Sequence, residues 1–198
     1  MKLKISALIV IFAASLLYAH PHVYIDSFVN VVCDEDGISC ISLRWEFDDM
    51  FSQSVIGDYD KNQDGFFDDR ELKVLYSDAF INLKNYEYFT HIKINGKKYK
   101  IDHVNNFKAE INEGILYYDF DIPLNIKLNT INKKINLSVY DSSYFCDVSP
   151  ITRKSVSIMN AENINYTISI SENKQDAFYY GQITPSELIL NLRLKNVK

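Results

Sequence analysis

Twelve consecutive residues limit the architecture of this chain more than any other stretch. They are Asp60-Lys61-Asn62-Gln63-Asp64-Gly65-Phe66-Phe67-Asp68-Asp69-Arg70-Glu71. Oxygen-bearing side chains stand at positions one, three, five and nine, a glycine at six and a glutamate at twelve. In a curling loop with that spacing, Asp60, Asn62 and Asp64 turn alternate oxygens toward one centre. Gly65 permits the sharp turn, Phe66 offers its carbonyl, and Asp68 ligates directly or through water. Glu71 can give two oxygens as an exit helix begins. The pattern predicts a calcium site of the EF-hand type, and therefore a helix on each side of it. Phe67 is apolar, as packing of the loop against a domain requires. The competing reading is an acidic, solvated turn. There is no second loop, since Asp34-Glu35-Asp36-Gly37 is too short and lacks the distal glutamate. A lone loop in an exported chain fits a weak site, with a Kd of roughly 10⁻⁴–10⁻³ M, and a structural rather than a sensing role.

The flanks agree with a helical block inside a β-rich chain. Asp48 to Ile56 loses strand character. Leu72, Leu75, Tyr76, Ala79, Phe80 and Leu83 recur at helical spacing on one face. The remainder alternates with a period of two. His22–Val32 and Ile38–Phe47 read as a hairpin pair. Tyr88–Ile94 and Lys97–His103 flank the turn signal Asn95-Gly96, and Ile115–Ile122 ends at Pro123. Lys134–Tyr140, Lys154–Met159, Tyr166–Ser171 and Glu187–Leu194 are further strand candidates, the last with helical signals in Ser186-Glu187-Leu188 that leave helix open, and Asn125–Lys134 is a polar loop or boundary. The expected fold is α+β and β-rich: antiparallel, sandwich-like sheets with an inserted EF-hand-like helix–loop–helix at about residues 48–86.

The first residues set the compartment. Lys2 and Lys4 precede an apolar run from Ile5 to Leu17, followed by Tyr18-Ala19. This is the pattern of a secretory signal peptide, too short for the roughly 20 residues of a spanning helix. Cleavage after Ala19 would leave a single periplasmic domain of residues 20–198. With 26 acidic against 21 basic residues and a formal charge of −5, and no basic stretch, nucleic acid is excluded as a partner class.

Cleavage would make His20 the amino terminus. Its amine and imidazole, with the imidazole of His22, are suited to a transition metal. Pro21 lacks an N–H, which disfavours a square-planar site built from consecutive deprotonated amides. The competing reading is a polar lead-in to the first strand. In the Asn95-Gly96 hairpin, Ile92 should face Tyr99, His91 should point to solvent beside Lys98 and Lys100, and His103 should fall opposite Tyr88. Of three cysteines, Cys33 and Cys40 would stand opposite each other if Asp36-Gly37 made a two-residue turn. A Cys33–Cys40 disulfide is then expected, with two buried thiols as the alternative. Cys146 has no base nearby in sequence and reads as an idle thiol. No G-x-S-x-G, H-E-x-x-H, C-x-x-C or glycine-rich phosphate loop occurs, and no small-molecule substrate is evident. The expectation is a protein that is not an enzyme.

His20-Pro21-His22-Val23-Tyr24-Ile25-Asp26 after a leader, Trp45-Glu46-Phe47-Asp48-Asp49, and the acidic loop occur in that order. Tyr88-Phe89-Thr90, Tyr118-Asp119-Phe120, Pro123-Leu124 and Val139-Tyr140-Asp141 with Tyr144 follow. Over about residues 20–148 this resembles a bacterial family of unknown function, labelled as the periplasmic component of an uncharacterised ABC-type transport system. Its members are linked with nickel, cobalt or zinc permeases. The departure here is Ser142-Ser143 and Cys146 in the tyrosine-rich segment. The resemblance implies an accessory protein that partners an inner-membrane metal permease. Asp60, Asn62, Asp64, Phe66, Asp68 and Glu71 would hold Ca²⁺, and His20 and His22 would hold Zn²⁺, Ni²⁺ or Co²⁺. Two other readings stand beside it: a calcium-stabilised interaction module with no transition-metal role, and a copper protein with an amino-terminal His chelate.

Overall fold

Alternating burial builds the first hairpin. In the computed structural model, which describes residues 21–195, strand β1 (Val23–Cys33) buries every second side chain. Strand β2 (Gly37–Phe47) does the same from Ile41 to Phe47. The two pair antiparallel, with Ile25 opposite Phe47 and Val31 opposite Ile41. Residues 1–20, where a signal peptide and the metal ligand His20 are expected, lie outside the described residues.

Nine more strands follow: β3 (Thr90–Ile94), β4 (Lys97–Tyr99), β5 (Asn105–Asn112), β6 (Ile115–Lys127), β7 (Lys133–Val139), β8 (Cys146–Val148), β9 (Val156–Met159), β10 (Ile164–Glu172) and β11 (Ser186–Leu194). They form two sheets. One runs β5-β6-β2-β1-β8, with β9 on the same edge of β1 farther along; the other runs β10-β11-β7-β3-β4. The buried faces of both sheets contribute to one apolar cluster, with Trp45, Phe120 and Leu43 from the first and Ile92, Leu137 and Leu190 from the second.

The first sheet is mixed rather than antiparallel throughout. Both β8 and β9 run parallel to β1. Each is only three or four residues long, and the chain passes from one to the other through a connection that keeps its direction. Strand β6 also continues through Pro123 instead of stopping there. The proline sits where the β2 partner is bulged and beyond the last residue paired with β5, so its missing N–H breaks no regular ladder. Strand β5 escaped sequence reading because it is an edge strand with no fully buried side chain.

Helix α1 (Asp49–Tyr59) and helix α2 (Asp69–Asp78) flank the acidic loop. The α2 face does not continue as one α-helix. It breaks at Ala79 and passes into a 3₁₀ segment, Phe80–Phe89. The block is tied to the first sheet by short polar contacts. The Asp48 carboxylate caps α1 at the Phe51 N–H and also accepts from the Tyr24 N–H at 2.8 Å. The buried Ser52 hydroxyl accepts from the Leu116 N–H at 3.0 Å, fixing α1 against the start of β6. Phe80 stacks on Phe107 of β5 at 3.9 Å.

Candidate functional site

The loop between α1 and α2 is built by main-chain N–H groups donating to its own carboxylates. Asp60 Oδ1 accepts from the Asp64 N–H and Oδ2 from the Gly65 N–H. Asn62 Oδ1 accepts from Asp64 and Asp64 Oδ1 from Phe66. From the far end, Glu71 Oε1 accepts from the N–H groups of Lys61 and Asn62 at 2.7 and 3.4 Å, and Oε2 from Asp68 at 3.1 Å. Asp68 and Glu71 also cap α2 reciprocally, a capping box. Gly65 has φ +83° with open space where a Cβ would be, so its requirement is purely conformational.

The result is a closed ring in which residue one and residue twelve of the motif are drawn inside. Asp60 is 5% exposed and Glu71 8%. Phe66 is exposed, whereas Phe67 packs against the core. Five carboxylates sit in the segment with only Lys61 and Arg70 for countercharge. Among the described residues, no lysine or arginine is ion-paired with any of them. Buried carboxylates without a cation are costly unless neutralised or coordinated. Every side-chain oxygen the loop offers is a hard donor, which suits calcium rather than a softer metal. As the side chains stand, no three His, Cys, Asp or Glu among the described residues form a group that could hold a metal ion.

The histidines are dispersed. His22 is exposed, donates its main-chain N–H to the Phe145 carbonyl at 2.9 Å, and its ring lies against the Phe145 ring at 5.1 Å. His103 is exposed in the stretch after β4, which ends at Tyr99, so the expected Tyr88–His103 pairing does not form. The Asn95-Gly96 hairpin keeps its expected register, with Ile92 opposite Tyr99. His91, however, is half-buried rather than solvated. It stacks on Tyr140 at 4.0 Å, and Nε2 lies 3.2 Å from the Tyr140 carbonyl. Burial lowers its pKa, against opposing pulls from the Tyr140 carbonyl and the Glu87 carboxylate. No local pattern signals this contact, because Tyr140, just past the end of β7, lies 49 residues away.

The cysteines do not face one another. The turn closes one residue early: Asp34 N–H donates to the Gly37 carbonyl, and the Asp34 carboxylate accepts from Asp36 and Gly37. Bulges then place Cys40 opposite Val32 and Cys33 opposite Ile38. Cys33 is buried with the inward residues of β1, Cys40 is half-buried on the alternate face, and all three cysteines are free thiols. A Cβ on Gly37 would lie 2.0 Å from the Ile126 carbonyl of β6, so in this register the strand passes there without a side chain. Burial and the nearby Asp34 push the Cys33 thiol up to about 11.

One site escaped the sequence entirely. Asp141 is 2% exposed. Its two oxygens accept from the Ser143 N–H and hydroxyl and from the N–H groups of Phe145 and Cys146. An aspartate followed two residues later by a serine is a turn signal that could have revealed it. The knot points the Cys146 N–H at a carboxylate. Burial, with Asp141 and Asp48 nearby, pushes the thiol up to about 12, so it stays protonated and is a poor nucleophile.

These features define a β-rich protein of two sheets carrying a helix–loop–helix with an acidic, partly buried loop. The chain belongs to the family described as Protein of unknown function (DUF1007), whose model matches residues 5–182. It is 29% identical over 132 residues to the "Uncharacterized 15.5 kDa protein in trpE 3'region" of Spirochaeta aurantia, covering 67% of this chain and 94% of that protein. It is 25% identical over 154 residues to an uncharacterized protein of Haemophilus influenzae, covering 76% of this chain and 72% of that one. No solved structure matches it. Among the described residues no helix is long and apolar enough to cross a membrane.

Proposed function

We propose that the chain is an exported, non-enzymatic metal-binding protein: a sandwich-like β-rich domain with an EF-hand-type calcium site in its inserted helix–loop–helix, serving a transition-metal permease of the inner membrane as a periplasmic accessory. The observation that carries the calcium reading is the burial of Asp60 and Glu71, at opposite ends of one loop, with no cationic side chain paired to either. Asp60, Asn62, Asp64, Asp68 and Glu71, with the Phe66 carbonyl, would hold the ion. Bound calcium supplies positive charge that offsets the crowded carboxylates. The chain's own part is to fix the end of α1 against the start of α2, through the Asp60 cap on the Ile56 carbonyl and the Asp68–Glu71 box.

Thermal melting of the mature chain, stripped with chelator and then titrated with calcium, tests this. Binding at about 100 times Kd adds about 2.7 kcal/mol, which for a chain of this size raises Tm by roughly 5–10 °C. Glu71→Gln should abolish the rise. A Tm that calcium does not move in the wild type overturns the reading.

The accessory role is supported by the resemblance over about residues 20–148 and by the His20-Pro21-His22 start. The second reading, a calcium-stabilised interaction module without a transition metal, is favoured by the packing of His22 on Phe145. Calorimetry on protein beginning at His20 separates them. Micromolar zinc, nickel or cobalt binding that is lost in a His20→Ala/His22→Ala variant supports the first; calcium binding alone supports the second. Copper binding through the same residues would instead identify the amino-terminal chelate of a copper protein.

A further inference from the structure

A β-sheet ends in a row of unpaired N–H and C=O groups, and folded chains ordinarily guard such edges with shortness, charge, proline or a bulge. Three of the four edges here are guarded. Strand β4 has three residues, of which Lys97 and Lys98 are charged. Strands β8 and β9 have three and four. Strand β5 carries Lys108 and Glu110 and is bulged between Asn105 and Lys108. Strand β10 is the exception. Its nine residues keep an unbroken register with β11 and include no proline and no charge before Glu172. Among the described residues, no strand pairs with its other side.

Two main-chain bonds identify the open groups. The Lys195 N–H donates to the Asn163 carbonyl, and the Asn173 N–H to the Pro185 carbonyl. They set the phase of the ladder: the odd-numbered residues of β10 bond to β11, and the N–H and C=O groups of Tyr166, Ile168, Ile170 and Glu172 point away from it. The side chains are unfinished at the same place. Tyr166, Ile168 and Ile170 stand opposite the buried Leu192, Leu190 and Leu188, on the core face. Yet Tyr166 is 43% exposed and the two isoleucines are only half-buried. The apolar layer runs out where the sheet does.

Donors and acceptors at that spacing are matched by another extended strand, and β10 is complementary to itself. In the antiparallel register that overlaps all nine residues, Ile168 faces Ile168 of a second copy, Tyr166 faces Ile170 and Thr167 faces Ser169. Glu172 faces Ile164, so no like charges meet. One residue beyond each end of the strand, the exposed Lys174 of one copy falls opposite the exposed Glu162 of the other. A chain of formal charge −5 repels its own copy, and an uncharged edge with complementary ends avoids that repulsion. We propose that two copies of this chain join through β10, antiparallel, to make one continuous sheet from their second sheets. The pairing covers the half-exposed apolar row on the core face and sets Thr167 beside Ser169 on the solvent face, a favourable cross-strand pair. This surface belongs to the sheet away from the acidic loop and stands whether or not the loop holds calcium.

Analytical ultracentrifugation of the protein, residues 20–198, from about 1 μM to about 1 mM tests this. The expected result is a reversible rise from the mass of one chain to that of two. Thr167→Lys/Ser169→Lys changes only exposed side chains and sets lysine opposite lysine in two cross-strand pairs. The dimer dissociation constant should rise about tenfold. Thr167→Glu/Ser169→Glu should do the same, and an equal mixture of the two variants should recover the dimer, each lysine then facing a glutamate. Ile168→Pro removes an outward N–H and leaves the bonds to β11 in place; it should weaken the dimer at least as much. Hydrogen exchange should show the Tyr166, Ile168 and Ile170 amides protected in concentrated protein and open in dilute protein. A mass of one chain throughout the range, a dimer unchanged by Thr167→Lys/Ser169→Lys, or a mixture no more dimeric than its two parts overturns the proposal.

Discussion

Asp141 and Asp60 are both buried aspartates, each hydrogen-bonded to main-chain N–H groups that follow it, yet their surroundings differ. Asp141 is a closed unit: four donors from the next five residues serve its two oxygens, and no other carboxylate lies in the knot. Asp60 is an open one. It shares its loop with Asp64, Asp68, Asp69 and Glu71, and Glu71 returns from eleven residues away to draw on Lys61 and Asn62. One arrangement is complete from protein groups alone. The other concentrates charge that its own donors do not neutralise. Burial of a carboxylate therefore does not by itself mark a ligand site; what distinguishes one is the surplus of acceptors over donors and cations.

The comparison can be broken by mutation. The largest effect is expected for Asp141→Ala, which leaves the Cys146 N–H without an acceptor and the Phe145 N–H with only the Ser143 hydroxyl at 3.4 Å. Chemical denaturation should show a loss of about 3 kcal/mol, the same with calcium and with chelator. A loss that calcium restores would make Asp141 part of a cation site and erase the distinction. Next in size, Asp60→Asn should change the chelator-treated stability by less than about 1 kcal/mol while removing the calcium-dependent increment of about 2.7 kcal/mol. If it destabilised the chelator-treated protein as heavily as Asp141→Ala does, the loop would be a second structural knot. Asp34→Ala marks the lower end. Its Asx turn is exposed, and about 0.5–1 kcal/mol is expected, again insensitive to calcium.

A smaller effect depends on pH. The folded state lowers the pKa of His91 through burial. Its contribution to stability is therefore fully present above the unfolded value of about 6.5 and is lost as pH falls through the lower folded value. Unfolding curves between neutral pH and mild acid should show stability falling with pH, less steeply in His91→Gln. An equal slope in the variant would assign the acid sensitivity to other groups.

Much of the fold was legible because period-two alternation survives wherever one face of a strand is buried, as from Val23 to Phe47. Asn95-Gly96 fixed its hairpin register for the same local reason. Strand β5, with little burial, and β8, with three residues, carried no such signal. The parallel pairing of β8 and β9 with β1 is a long-range fact that no local pattern encodes. At the acidic loop, spacing placed Asp60 and Glu71 at the two ends, and the structure brings both inside the ring. The expected register of Cys33 and Cys40 failed because the turn closes on Asp34, whose carboxylate accepts from the Asp36 and Gly37 N–H groups, and a bulge beside Cys33 shifts the pairing. His91 and Asp141 were obscured by distance along the chain or by a turn whose serine looked unremarkable.

The most direct measurement is calorimetric titration of the chelator-stripped protein, residues 20–198, with calcium, alongside Asp60→Asn and Glu71→Gln. The expected result is one ion per chain with a dissociation constant of roughly 10⁻⁴–10⁻³ M, absent in both variants. Heat no greater than dilution up to about ten times that range in wild-type protein, or binding retained in both variants, would contradict it.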